Sequence, residues 1–179
     1  MNFKGSKTEQ NLLEAFIGES KARNKYTFYA SRARKDGYET IARVFEETAN
    51  NEKEHAKIWF KYLIGGDIPD TLTNLKDASE GERYEWTTMY KNFAQTAKNE
   101  GFDEIAHLFD TITTVEKFHN QRYDRLIEDL EKNKLFKAQK PVIWECANCG
   151  FHILSVSAPE KCPLCAHPKA FFFNKEDVL

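Results

Sequence analysis

Residues 51–55 read NEKEH, and residues 115–119 read VEKFH. Each holds a Glu followed three positions later by a His: Glu52 with His55, and Glu116 with His119. Three residues is close to one helical turn, so on a helix the carboxylate and the imidazole share a face. The two pairs stand 64 residues apart, and the offset extends well beyond them. Tyr26 matches Tyr90, Ala30 matches Ala94, Gly37 matches Gly101, Ile41 matches Ile105 and Phe45 matches Phe109. A chance likeness of helical compositions gives a few such matches, but does not easily align both glycines and both Glu-x-x-His pairs. The chain reads as two copies of one helix hairpin.

Helical periodicity predicts the limits of each copy. Leu12, Phe16, Glu19, Tyr26, Ala30 and Ala33 recur at helical spacing over residues 6–36, and Gly37 is a stop. A second helix is predicted over 38–63, closed by Gly65-Gly66. Residues 64–79 contain Pro69 and no sustained stripe, which suits a crossover connection. Ser79 with Glu82 matches a capping box and predicts the start of a third helix, which runs to about Asn99. A fourth is predicted over 102–134. Two hairpins joined by a long crossover make a mainly α, four-helix bundle of the ferritin-like kind over residues 1–135.

Acids interrupt the apolar stripes. Glu19 lies between Phe16 and Tyr26; Glu52 and His55 lie between Ala49 and Trp59. Glu82 and Glu85 open the stripe that continues through Met89 and Phe93, and Glu116 and His119 lie between Ile112 and Tyr123. A single Glu in such a stripe usually sits at its edge with the carboxylate in water. Five carboxylates inside one bundle would repel one another, and each ion would cost several kcal/mol to desolvate. Raised pKa values would lessen the repulsion; a pair of cations removes it directly. Carboxylates bridging two metals, with an imidazole near each, form a dimetal arrangement. Iron, manganese and zinc all suit such donors. Tyr26 and Tyr90 lie seven residues after Glu19 and eight after Glu82. They are either ordinary core aromatics or hydrogen-bond donors to the ligand carboxylates. His107, His152 and His167 read as structural or exposed.

All four cysteines fall in the tail, as Cys146-x-x-Cys149 and Cys162-x-x-Cys165 separated by twelve residues. Two such turns present four sulfurs to one ion. A disulfide pair fits a reducing cytosol poorly. Structural zinc is the competitor, because zinc ribbons use similar spacings; iron in the same cage would carry one electron. Residues 136–145 read as a linker entering a short strand, and residues 146–179 as a module too small to fold without a metal or disulfide.

Composition bounds the function. The formal charge is −2, with 26 Lys plus Arg against 28 Asp plus Glu, which excludes a strongly basic nucleic-acid binder. At 41% hydrophobic and 30% charged residues, the chain falls in the globular range. No apolar run approaches a membrane span, and no secretory signal is visible, so a cytoplasmic protein is expected.

Taken together, ESKARNKY around Glu19, NEKEH, the E-R-Y-E run of Glu82 and Glu85, EKFH, and CANCG with APEKCPLCAHPKAFFF resemble the rubrerythrins over essentially the whole chain. One departure is Ala166, where a free-standing rubredoxin usually has Gly after its last Cys. The resemblance implies a ferritin-like di-iron bundle followed by a rubredoxin-like domain. It implies that Glu52 and Glu116 bridge two irons, with Glu19 terminal on one and Glu82 and His119 terminal on the other. Glu85 would hold the first iron when oxidised, and His55 would replace it on reduction. Cys146, Cys149, Cys162 and Cys165 would hold a mononuclear iron. The implied activity is a peroxidase: hydrogen peroxide is reduced to water as protection from oxidative stress, with electrons relayed through the four-cysteine iron. The ultimate donor would be NADH through a separate reductase, because the chain shows no Gly-rich dinucleotide loop. A homodimer is implied, with each tail iron near its partner's bundle. A ferroxidase or iron-handling protein is the alternative, which the one-electron tail argues against; a metal-stapled scaffold without turnover is a third.

Overall fold

The computed structural model describes residues 3–175; the outermost residues of the two expected domains, 1–2 and 176–179, lie outside it. The chain divides into two compact units, Met1–Pro69 and Asp70–Leu179.

The first unit is one hairpin, α1 (Lys7–Lys35) and α2 (Glu39–Leu63). Ser6 caps α1 by accepting the backbone N–H of Glu9 at 3.1 Å. The turn closes at Gly37, whose φ of +85° is a conformation that side chains resist. Its N–H reaches Arg34 O and the next N–H, of Tyr38, reaches Ala33 O, the paired bonds of a Schellman motif. Ala30, Ala33 and Ala42 are buried where the helices meet, and Tyr26, Tyr29 and Phe45 pack their rings alongside. Small residues let the two backbones approach closely.

The second unit repeats this hairpin with one irregularity. It runs α3 (Thr71–Tyr84), a π-helical turn (Glu85–Met89), α4 (Tyr90–Asn99) and α5 (Asp103–Glu131). Ala94, Ala97 and Ala106 repeat the buried alanines, and Tyr90, Phe93 and Phe109 repeat the rings. The Arg34–Glu46 ion pair recurs as Lys98–Asp110. Gly101 repeats the Gly37 turn, with Phe102 N–H bonded to Ala97 O.

Two expectations are corrected here. The third helix begins at Thr71, not at Ser79. Asp70, directly after Pro69, is its cap and accepts Thr73 N–H at 3.0 Å. Leu72, Leu75 and Ala78 supply the half-buried stripe. Ser79 lies inside the helix, buried, and bonds across to another helix instead of capping its own. Residues 136–145 are not mainly a linker, because strand β1 (Lys137–Cys146) occupies nearly all of them. With β2 (His152–Ser157) and β3 (Phe172–Asn174) it forms an antiparallel sheet of order β2-β1-β3. The β1–β2 register shifts between Lys137 and Val142, where Pro141 has no N–H to give. Val142, Trp144, Cys146, Ala158, Cys162 and Phe172 form the small core. The fold class is thus mainly α with a small C-terminal β module. Among the described residues, no helix is long and apolar enough to cross a membrane.

Candidate metal centres

In the first unit, Glu19 of α1 meets Glu52 and His55 of α2. One donor atom from each lies within 4.8 Å of the others. His55 Nδ1 is 2.9 Å from Glu52 Oε2 and 3.9 Å from Glu19 Oε1. Both carboxylates are half-buried. The Glu19 carboxyl is pushed above its ordinary range, first by burial and then by the neighbouring Glu52 carboxylate.

The second unit builds the same group. Glu82, Glu116 and His119 lie within 4.8 Å of one another, with His119 Nδ1 2.7 Å from Glu116 Oε2 and 3.7 Å from Glu82 Oε2. Burial and then Glu116 raise the Glu82 carboxyl. Glu85 stands outside the three-residue group but close enough that, after burial, the Glu116 charge raises its carboxyl while His119 lowers it. The first unit offers no equivalent. The π turn explains why the spacing from Glu to Tyr is seven residues in one copy and eight in the other. One residue is added within the turn, so Glu82 keeps the place Glu19 holds, and the counterpart of Glu85 is Ala22. Tyr26 and Tyr90 both pack as aromatics of their hairpins. Tyr90 also feels the site: burial, then the charges of Glu85, Glu116 and Glu82, push its phenol up.

The four cysteines converge in the β module. Cys146 Sγ is 3.7 Å from Cys165 Sγ, and Cys149 Sγ is 3.7 Å from Cys162 Sγ. A disulfide needs about 2.05 Å. A tetrahedron with metal–sulfur bonds of about 2.3 Å has edges of about 3.8 Å, which these distances match. The two knuckles are alike. Gly150 N–H reaches Cys146 O at 2.8 Å, Ala166 N–H reaches Cys162 O at 2.9 Å, and both residues have positive φ. The His167 N–H, the largest influence on Cys165, helps bring its thiol down to about 5. At Cys149 the Phe151 N–H acts in the same direction, but burial and the other three thiols outweigh it and push it up to about 12. A cation at the centre would let all four sulfurs ionise.

These donors fit iron. Oxygen and nitrogen converge in the two helical groups, where cations would take the place of shared protons, and four sulfurs form a tetrahedral cage. Of the other histidines, His152 is exposed, and His167 packs its ring on Phe171 at 4.4 Å. Sequence reasoning missed a hydrogen-bond network beside the second group, in which buried Ser79 and Asn120 join half-buried Trp86 and exposed Asp124. The available signal was Asn120, a polar residue directly after a ligand-type His on an apolar stripe.

The rubrerythrin family profile matches residues 10–127, and the profile of the rubrerythrin rubredoxin-like domain matches residues 144–173. A rubrerythrin of Porphyromonas gingivalis is 50% identical over 182 residues, covering 96% of this chain and 91% of its own. Rubrerythrin-1 of Clostridium acetobutylicum is 44% identical, covering 96% and 95%. The rubrerythrin of Nitratidesulfovibrio vulgaris is 43% identical, also covering 96% and 95%.

Proposed function

Because the chain belongs to the rubrerythrin family, with the di-iron centre and the four-cysteine iron that go with it, we propose that it is a hydrogen peroxide reductase acting in oxidative-stress protection. One observation carries the reading: a single chain combines carboxylate–imidazole groups suited to iron with a four-thiolate cage suited to one-electron transfer. A storage protein has no use for the second.

The proposed di-iron ligands are Glu19, Glu52, His55, Glu82, Glu85, Glu116 and His119. When bound, the reduced iron pair supplies two electrons to the oxygen–oxygen bond, and the four-cysteine iron replaces them singly. The protein's own part is to hold and position. Glu52 and Glu116 each lie against the Nδ1 of their own histidine, which keeps both imidazoles turned toward the carboxylates. Reduction of peroxide to two waters consumes two protons. Glu85, which would be released from iron when His55 replaces it on reduction, would then be free to hold one near the reacting oxygens.

Electrons come from a separate NADH-dependent reductase or a rubredoxin, in the cytoplasm. The working form is a homodimer. Each hairpin leaves apolar side chains exposed, among them Phe28, Ile41, Leu108 and Phe118, and these need a cover that the other hairpin or a second copy would supply. The test is kinetic. Iron-loaded, reduced protein mixed rapidly with peroxide should reoxidise much faster than with oxygen; equal or inverted rates would remove the assignment.

A further inference from the structure

The hydrogen-bond network beside the second carboxylate group has two buried polar residues at its centre. Asn120 is 4% exposed and Ser79 is 2% exposed. The Asn120 amide nitrogen donates to Ser79 O at 3.1 Å and to Ser79 Oγ at 2.8 Å and lies 3.3 Å from Asp124 Oδ2, while Asn120 Oδ1 accepts the Trp86 indole N–H at 3.1 Å. A carbonyl can only accept and an indole N–H can only donate, so the amide has one possible orientation. The Ser79 hydroxyl donates to Asp124 Oδ1 at 2.5 Å, and Arg83 approaches the same oxygen at 3.3 Å. The network thus ties α3 and the π turn to α5, one residue beyond His119.

The internal repeat supplies the comparison. In the first hairpin, Phe16 stands for Ser79, Arg23 for Trp86, Ala56 for Asn120 and Phe60 for Asp124. Phe16 and Phe60 stack with ring centroids 5.7 Å apart, and α1 remains α-helical throughout. Where the polar network is missing, so are the π turn and the extra carboxylate. A π turn is rare and persists only where its surroundings hold it. Loss of its added residue would rotate the preceding stripe by about 100° against the rest of the helix.

We propose that Asn120, braced by Ser79 and Asp124, is a positioning residue that locks the π turn through Trp86 and so fixes where Glu85 is presented to the metal. The inference rests on the ligand set proposed above. Its test uses the full chain with Trp86→Phe, which deletes the indole N–H and keeps a ring, and with Asn120→Ala. In the metal-free protein, hydrogen exchange at the amides of residues 85–89 should accelerate, with residues 19–26 unchanged. Gallium(III), a trivalent and redox-inert stand-in for the oxidised iron that Glu85 is expected to hold, is then titrated by calorimetry into protein whose cysteine cage is already filled with zinc. Either variant should weaken binding about ten-fold, the scale of a lost ligand support, and should have no further effect once Glu85→Ala is present. Unchanged exchange, or equal weakening with and without Glu85, would overturn the proposal. Should Asn120→Ala fail to fold, Trp86→Phe alone decides. If Glu85→Ala leaves gallium affinity intact, the ligand set falls and this inference with it; if that variant weakens binding while Trp86→Phe is silent, only this inference falls.

Discussion

Ala166 holds a φ of +62°, the conformation that Gly150 holds at +73° in the matching knuckle. Its side chain is exposed, so removing the methyl loses no packing. A left-handed backbone costs a non-glycine residue roughly 1–2 kcal/mol. Ala166→Gly should therefore stabilise the metal-loaded β module by about 1 kcal/mol, and Gly150→Ala should destabilise it by a similar amount. Thermal melts of the loaded protein check both, and shifts of the same sign would contradict the reading. Glu85→Ala should lower peroxide turnover by at least the roughly ten-fold that even outer supports of a metal cost; steady-state assays with the physiological type of donor would show it. At this scale the sequence was most informative where chemistry fixes spacing. The Glu-x-x-His pairs and Cys-x-x-Cys turns were legible because a ligand must face its ion. Ser79 and Asn120 were not, because their partners lie on another helix, and Ser79 with Glu82 also imitates a cap.

The helix hairpins rest on close alanine contacts. Ala42 and Ala106 have no solvent exposure. Ala42→Leu and Ala106→Leu should each destabilise by about 1–3 kcal/mol, because neither seam has room for three more carbons; denaturant titration would measure it, and a silent substitution would show that the helices can part freely. The carboxylates give the metal-free hairpins a pH dependence. Glu19 and Glu82 titrate above the ordinary 4.5 in the folded chain, so the native state holds protons that the unfolded chain has released. Their favourable contribution is complete below 4.5 and is lost as pH rises through the raised values. The metal-free melting temperature should carry a downward slope above that pH, flattened by Glu82→Gln, while added metal reverses its sign because cations compete with the same protons. Four long helical segments, their turns and their internal symmetry followed from periodicity and two glycines. The π turn did not, because its only mark in the sequence is a spacing of eight where the other copy has seven. The early start of α3 was hidden by its thin stripe of Leu72, Leu75 and Ala78.

For the whole molecule, metal content joins the parts. Two carboxylate–imidazole groups and one thiolate cage have purposes that neither stability nor packing explains. The halves of the repeat and the cysteine module were both legible, since each obeys a short-range spacing rule. Subunit assembly is set by surfaces that no local pattern encodes. If the working form is a dimer, dilution into the dissociation range should slow electron refilling of the reoxidised centre; a rate indifferent to concentration would count against it. The most direct measurement is an anaerobic titration of the fully reduced, iron-assayed protein with hydrogen peroxide, followed by the thiolate-to-iron absorption. The expected result is three irons per chain, two electrons accepted per peroxide, and return of the red colour as the cage is drained. A protein that binds iron only at the cysteines, or that stays reduced in peroxide, would contradict the account.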